Sequence, residues 1–118
     1  MSEREAALGL REQLDAKFGK NIVVLDLHGV TPIADFFVIA TGQNAPHLKS
    51  LQDAAEEFLG KAGFKMGHIE GHKSSNWVLL DFGSILVHLF DKESREYYNL
   101  EHIWADAKTI QCDRSEKA

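Results

Sequence analysis

The chain has one cysteine and two prolines among its 118 residues, and no apolar run long enough to span a bilayer. Each shortage excludes something. The lone thiol, Cys112, can build neither a disulfide framework nor a thiolate zinc site, which suits a reducing compartment. A membrane helix needs about 20 consecutive apolar residues, and no segment approaches that. The opening MSEREAALGLREQLD interleaves acids and bases. It therefore has neither the apolar centre of a secretory signal nor the acid-poor character of an organellar transit peptide, and a cytoplasmic protein is expected. Positive charge is also in short supply: 13 Lys and Arg face 18 Asp and Glu, a net charge of −5. Non-specific binding to nucleic acid draws on cations that displace counterions from phosphates, so this balance suits a basic partner better. The same balance keeps many ordinary proteins soluble and decides little alone.

What is present is enough for one core. A hydrophobic content of 44% fits a single domain over residues 1–107, followed by a polar tail, 108–118, expected to fray. Ala7, Leu10, Leu14 and Phe18 recur at helical spacing in residues 3–19, with acids early and Lys17 and Lys20 late. Residues 22–27 (IVVLDL) and 36–41 (FFVIAT) read as central strands, bounded by Gly29, Pro32 and Gly42 and joined tightly enough to be antiparallel neighbours. Asn44 is placed to cap a second helix with Pro46 in its first turn. Leu48, Leu51, Ala55, Phe58, Leu59 and Ala62 form its apolar stripe, and Gly63 its stop. Residues 65–70 read as a strand, and 77–81 with 85–90 as a hairpin turned at Phe82, Gly83 and Ser84. The order αββαβββ predicts an α+β, two-layer fold: a mixed sheet of about five strands packed with helices.

Catalytic signatures are weak. His68, Glu70 and His72 alternate on one strand face, but a metal site needs a ligand from a second element, and His88 serves only if the register allows. A polar strand edge is the simpler reading. Asp81, Phe82 and Gly83 spell a kinase magnesium motif without any of the other kinase elements, and a tight turn accounts for them. Thr41 and Gly42 lack the successive glycines of a phosphate loop. Asp26, Asp35, Glu70 and Asp81 contain no DxD pair to fix two ligands on a metal. Ser74, Ser75 and Ser84 have no nucleophile elbow around them. No enzyme activity, cofactor or metal is expected.

Aromatic residues carry more. Trp77 follows the polar HKSSN segment, and Tyr97 and Tyr98 follow the charged DKESRE turn, so at least one member of each group belongs near the surface. Rigid aromatics beside an arginine, here Arg95, dominate binding hot spots. The competing reading is that they cap the open end of the sheet. Phe36, Phe58 and Trp104 with Leu100 are assigned to the core.

These residues fall within a wider pattern: ADFFVIATG at 34–42, Glu70–Gly71, WVLLDFGSILVHLF at 77–90 and REYYNLEHIW at 95–104. Over residues 20–107 this resembles the Iojap-like ribosomal silencing factor family. Ser84 departs from the pattern, in which an Asp often follows the glycine. The resemblance implies a nucleotidyltransferase-like fold without transferase chemistry and a homodimer when free. It implies binding to the large ribosomal subunit through large-subunit protein number fourteen, with ribosomal RNA a further possible contact. Joining of the small subunit would be blocked and translation repressed under nutrient limitation. It also directs attention to the aromatic region already singled out. Trp77 and Tyr98 are the first candidates for partner binding, and Leu79 shares the strand face of Trp77. Glu70, Asp91, Glu93 and Glu96 would steer a basic partner, with Lys73, Arg95 and Tyr97 ranked second. The alternative is a nucleotidyltransferase-like enzyme with metal-dependent phosphoryl chemistry.

Overall fold

The structure, a computed structural model, describes residues 2–28, 32, 34–70, 77–93 and 108–110. In chain order the elements are α1 (Glu3–Ala16), β1 (Lys20–Asp26), β2 (Phe36–Gly42), α2 (Ala45–Lys61), β3 (His68–Glu70), β4 (Trp77–Asp81), β5 (Ile85–Asp91) and β6 (Lys108–Ile110). The sheet order is β3-β4-β5-β2-β1-β6. β2 and β5 run parallel at its centre, and every other pair is antiparallel.

Local chemistry starts each helix. Ser2 caps α1 in a reciprocal box: its hydroxyl accepts from Glu5 N–H at 3.1 Å, and its own N–H donates to the Glu5 carboxylate at 3.0 Å. Asn44 caps α2 by accepting from His47 N–H at 2.9 Å, with Pro46 in the first turn as expected. Both helices lie on one face of the sheet. Ala7, Leu10 and Leu14 of α1 and Leu48, Leu51, Ala55 and Leu59 of α2 share a core with Val24, Phe36, Val38, Val78, Leu80, Ile85, Val87 and Leu89. The opposite parity of the same strands supplies a second cluster of Leu25, Phe37, Ile39, Leu86 and Phe90, joined by Leu27 and Ala34. Neither helix contributes to it.

The hairpin turn has the expected chemistry. Gly83 sits at φ 83 and donates its N–H to the Asp81 carboxylate at 2.8 Å, while Phe82 N–H bonds the Ile85 carbonyl at 3.0 Å.

The α+β plan of a mixed sheet of about five strands packed with helices holds, and four details are refined. Among the described residues the sheet has six strands. The extra one is Lys108–Ile110, the start of the tail expected to fray, which pairs with Val24–Asp26 along the outer edge of β1. Its backbone supplies hydrogen bonds that β1 would otherwise leave open. Third, the strand read over 65–70 is confined to His68–Glu70. Finally, Phe18 does not join the apolar stripe of α1. The helix ends at Ala16, and Phe18 reverses the chain at φ 67 with its side chain 74% exposed. Phe18 N–H bonds the Asp15 carbonyl and Gly19 N–H bonds the Leu14 carbonyl, both at 2.9 Å, which is a Schellman closure with phenylalanine where glycine is usual. A left-handed conformation costs a non-glycine residue about 1–2 kcal/mol, part of which glycine gives back as unfolded-state entropy. Phe18→Gly is therefore expected to raise stability by about 0.5–1 kcal/mol, seen as a higher urea midpoint at unchanged slope. A lower midpoint would contradict this account of the turn.

Candidate partner-binding surface

The second cluster reaches the surface at Trp77. The β4–β5 register sets Trp77 opposite Phe90 and Leu79 opposite His88. Trp77 and Leu79 are half-buried and pack against the cluster, so these two residues do share a face. The indole lies over Phe90 with ring centroids 5.5 Å apart and planes 19° from parallel, and over His88 at 6.0 Å and 22°. Phe37 from β2 meets His88 at 4.6 Å and 59°. Cross-strand aromatic contacts of this kind fix ring orientation as well as burying area. The result is a rigid platform on the sheet face opposite α1 and α2, its outermost ring partly open to solvent.

His88 holds the platform together in a way that sequence reasoning missed. Trp77 Nε1–H donates to His88 Nδ1 at 3.2 Å. Accepting at Nδ1 places the neutral imidazole's proton on Nε2, a buried atom with no hydrogen-bond partner. Burial pushes the His88 pKa down to about 4. The available signal was parity: in an antiparallel hairpin pairing Trp77 with Phe90, position 88 is the diagonal neighbour of the indole on the same face.

The remaining candidates divide. Glu70 pairs with Leu79, which pairs with His88, which pairs with Ile39, so one row of the sheet joins Glu70 to the platform. Lys73, Arg95, Glu96, Tyr97 and Tyr98 lie outside the described residues, as do His72, Leu100 and Trp104. Asp91 is half-buried at the end of β5 and Glu93 is exposed just beyond it. Phe36 is buried, whereas Phe58 is only partly so.

The acids are engaged locally. Asp26 accepts from the His28 N–H at 3.0 Å and from its ring Nδ1 at 2.7 Å, and His28 Nε2 stands 3.4 Å from Asp35. Burial acts to raise the Asp26 pKa, but the His28 hydrogen bonds and the charges of His28 and Arg4 outweigh it and set it below the usual carboxylate range. Asp81 holds the hairpin turn. His68 is exposed on β3, two strands from buried His88. Among the described residues no three His, Cys, Asp or Glu side chains are grouped to hold a metal.

The buried imidazole has a pH signature. Between its unfolded pKa near 6.5 and its folded value of about 4, the unfolded chain takes up a proton that the folded chain refuses. Stability from this group is complete above that window and declines as pH falls through it, by about 3 kcal/mol in all at ~1.4 kcal/mol per pKa unit. Urea unfolding of the wild type and His88→Gln at pH 7, 5.5 and 4 should show the wild type losing more, the difference isolating His88 from the carboxylates. Parallel losses would refute the assignment.

Residues 1–118 match the family described as ribosomal silencing factor during starvation, RsfS. The chain is 33% identical over 113 residues to the ribosomal silencing factor RsfS of Halalkalibacterium halodurans, covering 96% of this chain and 97% of that protein. It is 33% identical over 99 residues to the Bacillus subtilis protein of the same name, covering 84% of each. A crystal structure of a Chromobacterium violaceum protein superposes with a TM-score of 0.84 at 32% identity, over 89% of this chain and 88% of that one. With the α+β sheet and the full-length match in agreement, the chain belongs to the RsfS family of ribosomal silencing factors.

Proposed function

We propose that this chain binds the large ribosomal subunit through large-subunit protein number fourteen and thereby prevents the small subunit from joining, repressing translation when nutrients are limiting. The observation that carries the reading is the Trp77–His88–Phe90 stack, a pre-ordered aromatic anchor at the surface of a sheet face that neither helix covers. Rigid aromatics lose little entropy on binding and supply much of the energy at protein interfaces.

Trp77 and Leu79 form the apolar centre of the contact. Glu70 lies in the adjoining row, and Lys73, Arg95, Glu96, Tyr97 and Tyr98, outside the described residues, are proposed as further partner contacts. A net charge of −5 favours approach to a basic ribosomal protein. A domain of this size acts by occupancy: it excludes the incoming subunit sterically and needs no turnover. A metal-dependent transferase would need carboxylates gathered on one ion, whereas Asp26 and Asp81 cap local turns. The protein works in the cytoplasm, and when free it pairs with a second copy through the same aromatic face, which would cover the half-exposed Trp77 and Leu79.

The test is sucrose-gradient association of purified subunits with increasing protein. Stoichiometric loss of joined ribosomes, with the protein travelling on the large subunit, is expected. Unchanged association with the protein at the top of the gradient would overturn the reading. Trp77→Ala should weaken large-subunit binding by about 2 kcal/mol, roughly thirtyfold, with the far-ultraviolet circular dichroism spectrum retained. Wild-type cosedimentation of this variant would reject Trp77 as the anchor.

A further inference from the structure

Phe18 is the one large hydrophobic residue strongly exposed among those described. It is costly in two ways: its ring faces water, and its backbone occupies the left-handed region at φ 67. Glycine would serve the turn better, as the Schellman geometry shows. The true close approach is one residue on, where a Cβ on Gly19 would lie 3.0 Å from the Leu14 carbonyl oxygen. Among the described residues nothing gives a fold-based reason for phenylalanine at position 18.

The surroundings define what such a ring can bind. Lys17, Lys20 and Asn21 flank it, all exposed. Glu12 and Asp15, one turn back on α1, have interactions of their own, and Asp53 on α2 is paired with Lys49 at 2.8 Å. The tip is held in place from α2: His47 Nδ1 accepts from Gln43 N–H at 2.9 Å, which leaves Nε2–H to donate to the Lys17 carbonyl at 2.8 Å. Among the described residues no other large apolar side chain is strongly exposed to form a rim with this ring, and a protein hot spot needs such neighbours to exclude water. The ring suits an unpaired nucleotide, whose base offers a flat face and whose phosphates flank that face.

Position in the sheet strengthens the case. Lys20 pairs with Thr41, Thr41 with Phe90 and Phe90 with Trp77, so the tip begins on the same transverse row as the candidate anchor. Three strand spacings separate the ends of that row, about 14 Å. That distance falls within a single standard interface.

We propose that residues Lys17–Asn21 form an RNA-contacting tip, in which the Phe18 ring stacks on an unpaired base and Lys17 and Lys20 neutralise the neighbouring phosphates. The inference rests on the ribosome-binding reading above and adds the nucleic-acid part of that contact. One base and two phosphates make a small increment, compatible with a chain too acidic to grip RNA along its length.

The test replaces Phe18 with the photo-crosslinker p-benzoylphenylalanine and irradiates the protein on purified large subunits. An adduct removed by ribonuclease is expected. An adduct to protein alone, or none while the chain cosediments, would overturn the proposal. Phe18→Ala should weaken large-subunit binding about tenfold. Lys17→Ala and Lys20→Ala should each lower the salt dependence of binding by ~0.7 in the log–log slope. Phe18→Gly, expected to be the more stable protein, separates binding from folding: a higher urea midpoint with weaker binding supports the tip, and unchanged binding rejects it. If the wild type does not cosediment at all, the ribosome-binding reading fails by itself. A low-salt titration with oligouridylate, followed through backbone amide shifts, then decides the RNA proposal. Shifts at Lys17–Asn21 that vanish in Phe18→Ala support it, and their absence rejects it.

Discussion

Pairing β2 parallel to β5 places seven residues of each strand at the centre of a sheet that has to be kept dry on both faces. All seven residues of β2 are buried, and six of the seven in β5. Two antiparallel strands can be joined by a turn, but a parallel pair requires a crossover, and here α2, β3 and β4 lie between the two in sequence. That crossover carries one of the two helices onto one face and leads the chain into the β4–β5 hairpin. The candidate surface follows from how the other face is treated, because there the buried row of Phe37, His88 and Phe90 ends in an indole that is only half covered.

Register converts this arrangement into a specific surface. Side chains alternate with period two, so a slip of one residue in β4 would move Trp77 and Leu79 to the helix side and bring Val78 and Leu80 out. The hairpin turn resists that slip: Asp81 and Gly83 fix the reversal, and the paired residues on either side of it determine which ring meets Phe90. His88 adds a polar constraint inside an apolar cluster. Its Nδ1 gives the indole N–H an acceptor, which fixes the rotation of the ring as burial alone would not, while its own Nε2 is left without a partner. A buried donor with no acceptor is a net cost to folding, borne next to the residue proposed for binding.

Elements whose cause is local were legible from sequence. The Asn44 cap of α2, the antiparallel β1–β2 pair and the 77–90 hairpin are dictated by nearby residues such as Asn44, Pro46 and Gly83, and they lie where expected. The misses have one long-range cause and one local one. Lys108–Ile110 has too little apolar character to announce a strand and becomes one because β1 has an open edge. Phe18 sits at a spacing that continues the stripe of α1, yet Gly19 and the Leu14 carbonyl close the helix first. In the site, Trp77 and Leu79 could be placed on one face by alternation, whereas the bond from Trp77 to His88 needed the hairpin register.

Phe18 and Trp77 pose the same physical question with different answers. Both are aromatic and both show more surface than the fold requires, but Trp77 repays part of its exposure by stacking on Phe90, so the proposed binding role would share one side chain with a packing role. Phe18 has no such compensation. Its ring is exposed and its backbone is strained, which makes its cost to the free protein nearly pure and any benefit external. Because the row from Trp77 through Phe90 and Thr41 to Lys20 crosses adjacent strands of one rigid sheet, a partner touching both residues fixes orientation as well as position. A single anchor leaves a small domain free to pivot. Two contacts on one stiff support remove that freedom, and the proposed action by steric exclusion depends on holding one pose.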